Sequence, residues 1–441
     1  MHRHELTRSG DFARSRETQS PNALIRAAAA LAACALAFAP GKLQAEPVLD
    51  WYGSGVAALP SGVRSAVVAG DDEPLFSEPS SASARRGSGI RGARLPLFGA
   101  RLGPGCRLRW LSVGPSAWIC EERATLSPDA PLSFDAPSES TPLGLPYRYF
   151  FVAKDGSFGY RALETAEEGS PDAQLRPNFG IAVSRVSNKK NGDPFGLTSR
   201  GFWVPMRDLA PVDPVPFQGV PWSGATAWVS KDATPVFSAP GRRRPGATLP
   251  RLTVVSIQEV RDIKFARYYR VGEDDWLRAE DVVQPVMSAP PADLRPGERW
   301  IDVDLSRQTL VVYIGEAPVF ATLVSTGMGS KGSDSATPPG SYRIWVKLRT
   351  SDMDNLEHVQ VRENYAIEAV PWVMFFHKGY GLHGTFWHSR FGETRSHGCV
   401  NLAPRDAERV FHWTSPRLLP GFSAIHPTAH EPGTLVRVRT D

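Results

Sequence analysis

Ser396-His397-Gly398-Cys399-Val400-Asn401-Leu402 is the stretch from which the rest of this chain can be read. Val400 and Leu402 flank a polar Asn401, the two-residue alternation of a short strand with one apolar face. Gly398, just before the sulfur, permits a tight turn. The one clear helix signal follows at once: Pro404-Arg405-Asp406-Ala407-Glu408-Arg409-Val410-Phe411-His412-Trp413. Pro404 suits a first helical turn with acidic residues behind it. Ala407, Val410 and Phe411 supply an i, i+3, i+4 face to pack on a sheet. Upstream the period is two. Ile301, Val303 and Leu305 alternate with polar residues, and Leu310, Val312 and Ile314 do the same. Further strand candidates lie at 319–326, 340–346, 372–376 and 435–438. The C-terminal third is therefore expected to be mostly β with one late helix.

Working outward from Cys399, the nearest chemistry is His383-Gly384-Thr385. Between them lies a turn- and aromatic-rich loop, 386–395. Acyl transfer by cysteine needs a thiolate, an imidazole to move protons, and backbone N–H groups facing the developing oxyanion. Cys399 supplies the sulfur and His383 is the candidate base. His397 can support the loop or assist proton transfer, and His377 and His388 are additional imidazoles. Trp387, with Phe386, suits either the lining of a substrate groove or loop packing. Two plainer readings compete. One is a buried cysteine acting as a small hydrophobe. The other is a zinc site built from these histidines and Cys399, whose spacings fit no common zinc pattern.

The arrangement resembles the L,D-transpeptidase family of bacterial cell walls, with its YkuD-type catalytic domain. That family pairs an upstream His-Gly with a later Ser/Thr-His-Gly-Cys, here His383-Gly384 and Ser396-His397-Gly398-Cys399. Gln308-Thr309-Leu310, Ser325-Thr326-Gly327 and Thr337-Pro338-Pro339-Gly340 resemble its supporting signatures, and the likeness covers about 298–440. It implies Cys399 as nucleophile and His383 as acid/base, with His397 also catalytic. Ser396 and Gly398 would shape the site. Asn401, where other members often have Arg, and Trp387 would meet substrate. No metal or organic cofactor is implied. The implied reaction passes through a thioester acyl-enzyme on peptidoglycan stem peptides and forms 3→3 cross-links. A wall-anchored lipoprotein, a D-amino acid or water are alternative acceptors. The competing function is a wall-binding structural protein with an inactive catalytic domain, against which the intact Cys399 and His383 argue.

The first half holds an internal repeat. Pro74-Leu75-Phe76-Ser77-Glu78-Pro79 matches Pro235-Val236-Phe237-Ser238-Ala239-Pro240. Val113-Gly114, Trp118-Ile119 and Glu122 match Val271-Gly272, Trp276-Leu277 and Glu280. Short alternating runs broken by Gly and Pro predict small β modules at 65–128 and 226–286. They resemble bacterial SH3-like domains. Cys106 and Cys120 flank a turn at Gly114-Pro115, and both are absent together from the second copy, at Lys264 and Arg278. A Cys106–Cys120 disulfide is expected. A third block, 146–210, reads as β-rich with no evident chemistry. Pro-rich linkers occupy 127–146, 211–224 and 288–297. Because every residue assigned to acyl transfer follows Trp300, the upstream modules are expected to serve targeting, and the segment from about 296 to act alone.

Residues 1–26 are polar and Arg-rich, and an apolar run, 27–40, leads to Ala45. This pattern predicts a signal peptide over 1–45 and an exported protein of the periplasm or cell envelope. Cys34 lies in a lipoprotein-like box and would bring membrane contact if lipidated. The chain has 441 residues and a net charge of +4. Without the leader the balance is 44 basic against 43 acidic residues, so no basic stripe argues for nucleic acid. With 12 Trp, 10 Tyr and 21 Phe the composition excludes a disordered chain. The whole reads as a mostly β multidomain protein.

Overall fold

A computed structural model describes residues 55–132, 143–188, 192–330, 332–356 and 365–440. The leader and its Cys34 lie outside the described residues. The chain is mostly β. Among the described residues, no helix is long and apolar enough to cross a membrane.

In the C-terminal third, a five-stranded sheet runs in the order Ala317–Leu323, Thr309–Ile314, Arg299–Asp304, Leu435–Arg439, Gly340–Arg343. Arg299–Asp304 and Leu435–Arg439 pair in parallel, the other neighbours antiparallel. A second sheet contains Val346–Asp354, Ala366–His377, Tyr380–Gly384, Val400–Leu402 and Phe422–Ile425. Ile301, Val303, Leu310 and Val312 from the first sheet pack with Trp372, Met374, Leu382, Val400 and Leu402 from the second. The helix Pro404–Trp413 adds Ala407, Val410 and Phe411 to the same core, the face its spacing predicts. Lys347 is buried beneath this helix and donates to the carbonyls of Phe411 (2.5 Å) and Thr414 (2.8 Å), capping its C-terminal end.

The alternation around Trp300 gives only half of the burial. Trp300, Val311 and Tyr313 face the other way and are buried too, against Phe217, Trp222 and Trp228 from upstream segments. Both faces of the first sheet are therefore covered, as in the near-continuous apolar run Leu310-Val311-Val312-Tyr313.

The two repeat copies have one topology. In the first, Arg94–Pro96, Ser65–Val68 and Ala124–Ser127 form three strands, matched by Val254–Ser256, Thr226–Val229 and Val282–Val283. The order Arg85–Gly89, Glu73–Phe76, Ala117–Cys120, Trp110–Gly114, Gly99–Arg101 is matched by Arg242–Leu249, Thr234–Ala239, Trp276–Arg278, Ala266–Arg270, Glu259–Ile263. Phe76 faces Trp118 across the strands as Phe237 faces Trp276. Phe76 meets Trp110 edge-on at 5.5 Å, and Phe237 meets Tyr268 the same way at 5.4 Å. Cys106 and Cys120 are joined, with Cα atoms 5.6 Å apart. The bond pins a long connection before Trp110; in the second copy a tight turn links Ile263 to Ala266 and leaves nothing to pin.

The upstream blocks are not appended modules. Arg85–Gly89 of the first copy pairs antiparallel with Phe422–Ile425 and so extends the second sheet. In the middle block, Gly180 pairs in parallel with Ile367. A Cβ at Gly180 would lie 3.0 Å from Ile367 Cγ2 and 3.3 Å from its Cα, so a side chain here would crowd the joint. The stretch 211–224 is extended but fixed. Val220 bridges Ala321, and the Gly219 N–H donates to both oxygens of Asp406, at 2.8 and 2.9 Å.

Candidate active site

The sequence folds the turn that carries Cys399 by interlocking short motifs. Gly398 sits at φ +122, and a Cβ there would be 2.4 Å from Tyr380 Cε1, so only glycine fits. Its N–H donates to Ser396 Oγ (3.1 Å), and Ser396 Oγ donates to the Cys399 carbonyl (2.5 Å). The Gly398 carbonyl accepts from Thr337 Oγ1 (2.7 Å), which itself accepts the Gly327 N–H (2.9 Å). Thr326 holds Ser396 and Arg395 through its carbonyl, and Gln308 holds Thr326 through its backbone N–H and its hydroxyl. Ser325 and Asn401 exchange two backbone hydrogen bonds. The Gln308, Ser325-Thr326-Gly327 and Thr337 signatures thus meet at one turn.

Val400–Leu402 lies parallel to Tyr380–Gly384, with His383 opposite Asn401. The two-residue period sends Leu382, Val400 and Leu402 into the core and leaves His383 and Asn401 on the other face, with Cys399 two residues before Asn401. One groove of about 1420 Å³ is lined by Cys399, His383, Ser396, His397, Asn401 and Trp387 together. Gly398 lies beneath Tyr380 rather than along the wall.

His383 is buried, its Nδ1 facing the Gly384 carbonyl at 3.2 Å and the Thr385 hydroxyl at 3.4 Å. Trp387 stacks on it with centroids 5.8 Å apart. Loss of solvent lowers its pKa to about 4. Cys399 is partly exposed, with Sγ 3.8 Å from the Gly379 carbonyl. Its crowded surroundings push the thiol up, and the Gly381 N–H opposes this. The resting pair at neutral pH is thus an uncharged imidazole and an uncharged thiol. His397 stacks on Tyr365 at 5.5 Å.

Sequence reasoning left several contributors unassigned. His388 lies with Nε2 3.0 Å from the Asn401 side-chain nitrogen, and burial lowers its pKa to about 4. The Asn401 amide oxygen is buried with no hydrogen bond among the described residues, though Asn401 itself lines the groove. Phe151, Pro177 and Asn178 of the middle block line the same groove, so that block is not remote from the chemistry. The second repeat copy grips loop 386–395. Arg251 donates to the Phe391 carbonyl (2.6 Å) and meets Glu393 (3.1 Å), and Asp232 meets Arg390 (3.1 Å). No local pattern announces such contacts.

The family model for the YkuD L,D-transpeptidase catalytic domain matches residues 298–438. No curated protein matches the chain. Among solved structures, a mutant L,D-transpeptidase of Enterococcus faecium aligns at 23% identity over 32% of this chain and 50% of that one, with a TM-score of 0.24. An L,D-transpeptidase from Stackebrandtia nassauensis aligns at 28% identity over 34% of this chain and 58% of that one, TM-score 0.24. L,D-transpeptidase 3 from Mycobacterium tuberculosis aligns at 19% identity over 40% and 78%, TM-score 0.26. This chain therefore spans about half the length of the Enterococcus structure it matches. Residues 298–438 constitute a YkuD-type L,D-transpeptidase catalytic domain.

Proposed function

We propose that the protein is an exported peptidoglycan L,D-transpeptidase in which Cys399 is the nucleophile and His383 the acid/base. The observation that carries this reading is the meeting of Cys399, His383 and Asn401 in one groove. Neutral His383 takes the thiol proton as sulfur attacks the amide between the third stem residue and the terminal D-alanine. The Gly381 N–H, which faces the Cys399 sulfur, favours the thiolate as its proton leaves. D-alanine leaves with the proton from His383, and a thioester remains. A side-chain amine of a second stem then attacks the thioester, His383 accepts its proton, and the thiol is restored with a 3→3 cross-link formed. A lipoprotein side-chain amine is the alternative acceptor. The Cys106–Cys120 disulfide supports an oxidising compartment and hence export.

Intact mass spectrometry after incubation with a carbapenem tests the nucleophile. A single adduct on Cys399, absent from Cys399→Ser, supports the reading. An unmodified wild-type protein, or an adduct that survives the substitution, contradicts it.

A further inference from the structure

We infer that Tyr149, in the middle block more than two hundred residues upstream, is a positioning residue for His383, acting through a relay of packed aromatic rings. This rests on the reading of His383 as the acid/base. Tyr149 lies on Arg148–Val152, and its ring stacks on Phe386 with centroids 3.9 Å apart and planes 29° apart. Phe386 meets Trp387 edge-on at 5.0 Å. Trp387 stacks on the His383 imidazole at 5.8 Å, with planes 25° apart. Phe386 and Trp387 are the second and third residues after Gly384, so the relay fixes the chain leaving the imidazole.

The upstream end of the relay is anchored. The Tyr149 hydroxyl donates to the Ala369 carbonyl at 2.5 Å, a fully buried hydrogen bond. Ala369 sits at φ +48, a left-handed backbone that costs free energy unless surrounding contacts hold it. Its N–H is held by Asp352 Oδ1 at 2.8 Å. Nearby, Glu368 accepts from the Ala182 N–H and the Ser199 hydroxyl, tying the same strand to the middle block. Tyr149 is therefore rigid on one side and presses an aromatic face on the other.

What the relay does follows from solvent exclusion. A wall of three packed rings keeps water from the His383 side of the groove, and burial is the main cause of its low pKa. The ionisable groups around the relay are Cys399, His388, His397, Arg395, Asp354, Tyr365 and Tyr380 on the His383 side, and Tyr147, Arg349, Asp352 and Glu368 around Tyr149. Removing the Tyr149 ring leaves all of these in place, so a change at His383 reports loss of the wall.

The experiment compares wild type, Tyr149→Phe and Tyr149→Leu as full chains. It follows the His383 ring-proton titration by NMR and the pH profile of Cys399 acylation by a carbapenem from pH 4 to 9. Tyr149→Leu should raise the His383 midpoint toward about 6.5, and acylation at pH 5 should fall about tenfold or more relative to pH 8. Tyr149→Phe keeps the ring and should keep the wild-type midpoint. A Leu variant with the wild-type midpoint overturns the inference, as does a Phe variant that shifts as far as Leu. Tyr149→Met, closer in volume, takes the place of Leu if Leu does not fold. If Cys399 is unreactive even in wild type, the functional reading fails, while the NMR titration still decides the relay.

Discussion

The Thr337 hydroxyl donates to the Gly398 carbonyl at 2.7 Å, tying a loop sixty-one residues upstream to the turn that presents Cys399. The same oxygen accepts the Gly327 N–H, so one side chain satisfies two segments. Thr337→Val removes the shared hydroxyl, leaves the Gly398 carbonyl and the Gly327 N–H without it in a buried site, and should cost about 1–3 kcal/mol. Acylation should slow as the turn loosens, and Thr337→Ser should recover most of both losses. Chemical denaturation with a carbapenem acylation assay checks this; a Val variant equal to wild type in both would refute the role.

Gly398→Ala should be worse. The new Cβ meets the Tyr380 ring at 2.4 Å, and φ +122 is unsuited to any L side chain. A loss of about 1–3 kcal/mol and of detectable acylation is expected. Tyr380→Ala in the same chain should relieve the clash but not the backbone strain, so rescue should be partial. Full rescue would show that only the contact mattered.

The uncharged Cys399–His383 pair separates two reactions by pH. Iodoacetamide reacts with the thiolate, so at pH 7 it should alkylate Cys399 more slowly than free cysteine. In the proposed mechanism acylation uses neutral His383, which persists down to about pH 4, so its acidic limb should lie well below that of an ordinary imidazole. His383→Ala should slow acylation by about 10²–10⁴-fold, with His388→Ala milder. Stopped-flow profiles decide it; a shared midpoint near 6.5 for both reactions would contradict the uncharged pair.

Glu368 gives stability a pH dependence of known sign. Burial raises its carboxyl from 4.5 to about 7, with the Arg200 charge opposing. The unfolded chain then ionises at lower pH than the folded one. The stabilisation is full below 4.5 and is lost as pH rises to about 7. Glu368→Gln keeps an acceptor for the Ala182 N–H and cannot ionise. It should flatten the stability profile between pH 4.5 and 7 and exceed wild type at pH 8 by about 1–3 kcal/mol. Denaturation midpoints across this range test it, and parallel profiles for the two proteins would count against it.

How much of this could be read from the sequence depended on how local each signal was. The Ser396–Asn401 turn was legible because Gly398, Cys399 and the Val400/Leu402 alternation sit within seven residues. The helix was legible through Pro404 and the Ala407, Val410, Phe411 spacing. The repeat showed because Phe76/Trp118 and Phe237/Trp276 hold the same places in both copies. What could not be read was how the modules join. Gly180 meets Ile367 through a single pairing, and Tyr149 reaches Phe386 across a gap of more than two hundred residues. Asp406 looked like an ordinary first-turn acid, yet it is buried and holds Gly219 and Thr322.

These joints change what is expected of a truncated chain. A fragment from about 296 would expose Trp300, Val311 and Tyr313, and lose the Tyr149 and Arg251 contacts on loop 386–395. Each large apolar side chain returned to water costs about 1.5–3 kcal/mol. The fragment should therefore melt well below the full chain and acylate poorly. Calorimetry and carbapenem labelling of both proteins test this; a fragment as stable and reactive as the whole would restore the modules to a purely targeting role.

The most direct test of the central claim is turnover of a disaccharide-tetrapeptide by the full chain, followed by mass spectrometry of protein and products. The account predicts release of D-alanine, a thioester-linked stem on Cys399, and 3→3 dimers, all absent from Cys399→Ser. D-alanine release or dimer formation that persists in that variant, or wild type that leaves the substrate intact, would contradict it.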